Sequence, residues 1–328
     1  MRWRPRRGKA FPPGGAATIM PPMARLVVVG AGQIGSPAAA AAVEDGVVDT
    51  LAAVVDVDTD AARALAESHG AAVHASTLEL APAREGDRAL VAFSPHVEVV
   101  APELLRLLSL GYHVVSTCEE LAWPPRHMWN ALHTAARTHG RVIIMTGVNP
   151  GFVMDRLPLL ATAASRKVKS VTVSRRIDSS SRRESFLPKT GRGLDAEAFA
   201  AGAESGALGH RGLVPSAKLL AHTLGWPNRD VTEAIDPVTD GGVVSGFRQQ
   251  VILRAGEKTI HLEIVAAWQL PDPGDRVIVE GEPPLLLEIP GGYQGDLGAS
   301  AQIVMALRRC TELTPSVYRP TDLPLRFG

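Results

Sequence analysis

Cysteine is nearly absent from this chain: Cys118 and Cys310 are the only two in 328 residues. They cannot build a disulfide framework, and no Cys/His group has zinc spacing, so a reducing cytoplasm and no metal are expected. Net charge is missing too. The 34 basic and 34 acidic side chains cancel, which leaves no global field directing the protein to nucleic acid or to an anionic membrane. The longest apolar stretch, Val91 to Val115, is interrupted by His96, Glu98, Glu103 and Arg106. It falls short of the roughly 20 apolar residues of a membrane span. An export signal would need an apolar core of about 7 to 15 residues near the start, and prolines and glycines break Ala10 to Met23 instead. No internal repeat is visible.

What is present is ordinary in amount and uneven in placement. Hydrophobic residues make up 45%, and the length suits about two domains with sizeable cores. Arg2, Arg4, Arg6, Arg7 and Lys9 crowd the start and are followed by Pro12-Pro13-Gly14-Gly15. Residues 1–22 therefore read as a disordered basic tail, which a start at Met20 or Met23 would largely or wholly remove.

Arg25-Leu-Val-Val-Val-Gly30-Ala-Gly32-Gln33-Ile34-Gly35 runs from a short apolar strand into a three-glycine turn and an alanine-rich helix. Gly30 permits the turn, Gly32 lets backbone approach phosphate, and Gly35 lets the helix pack on its strand, which is a mechanism for holding a dinucleotide pyrophosphate. A second apolar strand, Leu51 to Val55, ends at Asp56, 21 residues beyond Gly35. That spacing suits a carboxylate on a ribose 2′-hydroxyl. Asp56 and Asp58 favour NAD, because carboxylates repel a 2′-phosphate, while Arg63 leaves NADP open.

From Arg25 to Val148, short apolar strands near 25–30, 51–55, 89–93, 113–117 and 141–145 alternate with helices near 33–45, 59–69, 97–110 and 125–138. This is the pattern of a parallel sheet with crossover helices. After Asn149-Pro150-Gly151 the texture changes. A helix over about 153–164 is expected, then β-branched strands at 168–177, 243–253 and 258–270, a loop carrying Arg175, Arg176, Arg182, Arg183 and Lys189, and helices at 213–225 and 295–309. The expected fold class is α/β: a Rossmann-type parallel sheet domain plus a second α+β domain with a mixed or antiparallel sheet. The expected divisions are a dinucleotide-binding domain over 23–150, a substrate and dimerisation domain over 151–292, and a segment over 293–328 that packs back on the first domain.

In open parallel sheets ligands bind beyond the carboxyl ends of the strands. Ser94 follows the third strand, Thr117-Cys118-Glu119-Glu120 the fourth, and Asn149-Pro150-Gly151 the fifth. Ser94, Thr117, Cys118, Asn149 and Gly151 thus join Gly30, Gly32, Gln33, Ile34, Gly35 and Asp56 as candidate cofactor contacts. The paired carboxylates are the candidate catalytic groups, since a carboxyl beside a nicotinamide ring in an apolar cleft should titrate nearer neutrality. Glu119 is the first choice. Thr117 and Glu120 have capping-box spacing, which offers Glu120 a structural role instead. Cys118 is a nucleophile by type, but an isolated cysteine at a strand end is more often a small packed residue.

Val114-Val-Ser-Thr-Cys-Glu-Glu-Leu121, Gly147-Val-Asn-Pro-Gly-Phe-Val-Met-Asp155, the Arg-rich stretch through Lys189-Thr-Gly-Arg-Gly193 to Phe199, Gly209-His210 to Gly225-Trp226, and Asp322-Leu-Pro together resemble the 2,4-diaminopentanoate dehydrogenases. The native amine dehydrogenases belong to the same group, and its first domain looks like that of dihydrodipicolinate reductase. The resemblance spans about 24 to 323. It implies reversible oxidative deamination of a primary amine, or reductive amination of a ketone or aldehyde with ammonia, using NAD or NADP, with Glu119 orienting the amine and accepting its proton. A homodimer is expected. Met305 and Gln294 depart from the family pattern, which tends to asparagine and histidine there. The paired histidines and lysine of dihydrodipicolinate reductase have no counterpart, nor does the lysine that homoserine dehydrogenase would place at 119.

Phe152, Met154, Trp268 and Tyr293 are candidate pocket walls or plain core, and His210 is a candidate cleft residue. The arginines are candidates for a substrate carboxylate, or else solvated or paired across a subunit interface. Two other readings stay open: a dehydrogenase acting on a hydroxyl, and a dinucleotide-binding sensor without a reaction.

Overall fold

The computed structural model describes residues 23–227 and 230–324; the basic tail expected over 1–22 lies outside the described residues. Six strands come first: β1 (Arg25–Val29), β2 (Thr50–Val55), β3 (Ala72–His74), β4 (Arg88–Val91), β5 (His113–Ser116) and β6 (Val142–Met145). Helices α1 (Gly35–Glu44), α2 (Thr59–Glu67), α3 (Val97–Ser109) and α4 (Arg126–Thr138) connect them. With β13 (Ser316–Tyr318) they form a seven-stranded sheet in the order β13-β6-β5-β4-β1-β2-β3, every pairing parallel.

Near-continuous apolar strands suit a sheet covered on both faces. Alternate residues divide between those faces: Val27, Val29, Val114 and Ile143 pack with Leu104, Leu108 and Leu132 of α3 and α4. Leu26, Val28, Val115 and Ile144 pack with Ala38 and Ala42 of α1. On this second face lies a late helix, α8 (Gly295–Arg309), which contributes Ile303, Val304 and Leu307.

Between those parts run α5 (Arg156–Thr162), β7 (Arg166–Asp178), α6 (Ala196–Ser205), α7 (Leu213–Thr223), β8 (Asp230–Asp240), β9 (Val243–Ala255), β10 (Lys258–Ala267), β11 (Gly274–Glu282) and β12 (Leu285–Pro290). The second sheet has six strands in the order β12-β11-β7-β10-β9-β8. It is mixed, since β7 and β10 are parallel and the other neighbours antiparallel. Val171, Val173, Phe247, Val251 and Leu262 on one face pack against Leu213, Ala217 and Leu220 of α7.

Several expectations need correction. The helix expected from 153 starts at Arg156, because the Asp155 side chain caps it. Arg175 and Arg176 lie within β7 rather than in the loop. Strands β3, β8, β11, β12 and β13 have no counterpart among the expected elements; β8 is a mostly exposed edge strand containing Pro237, and β3 and β13 span three residues each.

Candidate active site

The glycine turn leaves β1 with Gly30 N donating to Val55 O at 2.9 Å. Gly30 has φ +102°, and a Cβ there would sit 2.7 Å from the Ala92 carbonyl carbon. At Gly35 a Cβ would meet Gly30 O at 1.9 Å, so α1 begins hard against the turn, while Gly32 has open space. No side chain caps α1. An uncapped helix start beneath an open glycine turn fits a dinucleotide pyrophosphate, which takes up the orphan N–H donors. Asp56 accepts from Ala31 N at 2.7 Å through Oδ2 and from Asp58 N at 2.9 Å through Oδ1, which fixes its carboxylate beside the turn. The Asp58 side chain caps α2, and Arg63 pairs with Asp60.

A cavity of about 480 Å³ runs from this turn across the strand ends to the second sheet. Gly32, Gln33, Ile34, Ser94, Thr117, Glu119, Asn149 and His210 line it. Phe247 and Ile264, from β9 and β10, face them. Neither residue stands out in the sequence. Their inward positions follow the alternation of β9 and β10, but that pattern alone does not tell a cleft from a core.

Glu119 opens a short 3-10 turn directly after β5. His210 Nδ1 lies 2.9 Å from its Oε2, and the two side chains are 18% and 20% exposed. Burial pushes the Glu119 carboxyl upward, yet His210, the Lys189 ammonium and the Gly212 N–H outweigh it and hold the group below its ordinary range. The raised value expected from an apolar cleft is thereby corrected: opposite charge wins over desolvation. Gln249, buried on β9, grips the backbone of His210 from both sides. His210 N donates to its Oε1 at 2.7 Å, its Nε2 donates to His210 O at 2.9 Å, and Nε2 also donates to Glu233.

The neighbouring carboxylate lies elsewhere. Glu120 Oε2 accepts from Val97 N at 3.0 Å and Oε1 lies 3.2 Å from His96 Nδ1, so it caps α3. The capping box with Thr117 does not form. Cys118 is buried, its thiol directed at Pro95 O and pushed up by burial to about 12. It is a packing residue. Gly151 gives its N–H to the buried Asp155 carboxylate and stays out of the cavity wall.

The expected aromatic walls are also displaced. Met154 is fully buried in the core of the second sheet. Trp268 stacks under Arg192 at 3.7 Å in a separate groove. Phe152 and Tyr293 pack on each other, 5.0 Å between centroids, outside the cavity lining. The Arg175 guanidinium is buried with its Nε 3.3 Å from Asp275, an ion pair without hydrogen-bond geometry, and its Nη1 and Nη2 donate to Asn149 and to Tyr293 O within the protein. Arg176 donates to the carbonyls of Pro271 and Asp272. Arg182 and Arg183 both reach Asp296.

Among the described residues no His/Cys/Asp/Glu group is arranged to hold a metal ion, and no helix is long and apolar enough to cross a membrane. Residues 24–146 match the oxidoreductase family with an NAD-binding Rossmann fold. The 2,4-diaminopentanoate dehydrogenase of Acetoanaerobium sticklandii is 29% identical over 240 residues, covering 65% of this chain and 67% of that protein. The amine dehydrogenase of Mycobacterium smegmatis superposes with a TM-score of 0.79 at 17% identity, covering 94% of this chain and 98% of that one. GenD2 from gentamicin A biosynthesis, in complex with NAD, superposes at 0.61 and 20% identity over 96% and 93%. These two likenesses establish the fold. Residues 152–327, more than half of the chain, match the 2,4-diaminopentanoate dehydrogenase C-terminal domain behind that NAD-binding fold, and the chain belongs to this family of oxidoreductases.

Proposed function

We propose that the protein is an NAD(P)-dependent amine dehydrogenase, interconverting a primary amine with a ketone or aldehyde and ammonia. The observation that carries this reading is Glu119 in contact with His210, partly buried in the cavity that also holds the glycine turn, with its carboxyl held below the ordinary range. The bound dinucleotide supplies the hydride acceptor for deamination and the donor for amination.

Glu119 accepts the proton of the substrate ammonium and releases it to solvent, so that the free amine loses hydride from its carbon beside a carboxylate that is charged again. The cationic iminium that results sits against a carboxylate already charged and oriented, which is electrostatic assistance aimed at charge appearing in the transition state. Water then adds to the iminium carbon, and the nitrogen leaves as ammonium with the carbonyl remaining. His210, in contact with Glu119, holds that carboxylate in place. The same carboxylate would oppose the negative oxygen that develops when a hydroxyl is oxidised. This favours the amine over the hydroxyl reading, and the names of the relatives point the same way.

The test is NAD(P)H consumption with a panel of ketones and aldehydes, with and without ammonium. Turnover is expected to require ammonium, and Glu119→Gln should lower kcat/KM by about 10²- to 10⁴-fold, the usual worth of a general acid–base group. Ammonium-independent turnover, or a Gln variant as fast as the parent, rejects the proposal.

A further inference from the structure

The cations of the cavity are distributed unevenly. The part built on the first sheet lines it with Gly32, Gln33, Ile34, Ser94, Thr117 and Glu119, among others, and no basic side chain. Every lysine or arginine on the cavity, namely Arg175, Arg182, Arg183 and Lys189, comes from the segment after β6. Arg175 is committed to Asp275, and Lys189 acts on Glu119. Arg182 and Arg183 remain, on the stretch of 3-10 turns that follows β7.

That stretch reaches the glycine turn. Ser185 Oγ donates to Gln33 Oε1 at 2.7 Å, and Ser185 N lies 3.4 Å from the same oxygen. Beside this bridge, Arg182 and Arg183 share the single carboxylate of Asp296, in the first turn of α8. Two guanidiniums on one carboxylate leave one positive charge unbalanced. The Arg182 side chain is pressed over Gly295, where a Cβ would lie 2.4 Å from its Nη2, and its Nε has no partner.

We propose that Arg182 and Arg183 form a clasp for the pyrophosphate of the dinucleotide, delivered by the second half of the chain onto a turn that has no cation of its own. The guanidinium fork is matched to phosphate oxygens, with Asp296 holding both forks in place until the anion competes for them. Ser185 and Gln33 set the register of the clasp on the turn. The inference concerns dinucleotide binding and is independent of the amine reading.

The test is equilibrium binding to the full-length protein of NADH, of ADP-ribose, which has the pyrophosphate without nicotinamide, and of adenosine, which has no phosphate, the last by competition. Arg182→Met and Arg183→Met should each weaken NADH and ADP-ribose by about tenfold, as loss of a charge-assisted hydrogen bond implies. Both should leave adenosine unchanged and flatten the salt dependence. Asp296→Asn, which frees the guanidiniums, should tighten ADP-ribose several-fold. An unchanged ADP-ribose affinity in the double Met variant overturns the clasp, as does an equal loss for adenosine. Should the Met variants fail to fold, Asp296→Asn decides: unchanged or weaker ADP-ribose binding overturns the proposal.

Discussion

Glu119 is poised between two opposing influences, burial that favours its neutral acid and a cationic surround that favours its anion. His210 and Lys189 decide the balance. Removing either should let burial reassert itself, so His210→Asn and Lys189→Met are expected to raise the Glu119 pKa. The acid limb of the kcat/KM profile should move to higher pH in both, and an unmoved limb would show that neither side chain governs the carboxylate. Glu119 was legible as a candidate because it follows a strand of a parallel sheet directly. Its ionisation was not. Lys189 and His210 stand 70 and 91 residues further along the chain, and only the fold brings them to it. Met154 and Trp268 show the converse: their types suit a pocket, but the second sheet turns one into its core and the other toward a different groove.

At the scale of elements, adjacent residues serve different masters. Glu120 ties the 3-10 turn after β5 to the start of α3 by accepting from Val97 N. Replacing it by Gln weakens a charged cap, with an expected loss of about 1 kcal/mol in stability. Denaturant unfolding should record that loss while kcat stays near the parent, the opposite of Glu119→Gln. A capping role was readable from the spacing of acidic and hydroxyl residues, but the helix that it caps belongs to the preceding crossover. The long elements were legible from their periodicity, and α8 spans Gly295–Arg309 as expected. Strands β3 and β13 were not, since three residues carry too little pattern. Strand β8 escaped because an exposed edge needs no apolar face.

For the molecule as a whole, acid stability should depend on His113, at the start of β5. Burial, with Arg141 and Arg88 nearby, lowers its pKa from the ordinary 6.5 to about 4. The folded protein therefore keeps this ring neutral while the unfolded chain protonates it. Stability should fall as pH drops from about 6.5 toward about 4, with no further loss from this group below that. His113→Gln removes the titrating ring, and unfolding measured across that window should show a shallower slope than in the parent. Such a dependence was invisible in the sequence, because Arg88 and Arg141 come from the two strands flanking β5 or their approaches.

Strand β13 and helix α8 give the chain a temporal constraint. The edge of β6 is covered by residues 316–318, and one face of the first sheet is finished by Ile303, Val304 and Leu307. A ribosome that has just made residue 150 has synthesised every strand of the glycine-turn sheet but the last and none of its closing helix. The nascent first half must wait, with Ile144 and Ala42 lacking their final partners, until the second half has been translated. A fragment ending at 150 is accordingly expected to aggregate or bind a hydrophobic dye, and co-expression of the remaining residues should rescue it. The dinucleotide site is assembled first in sequence and among the last in time.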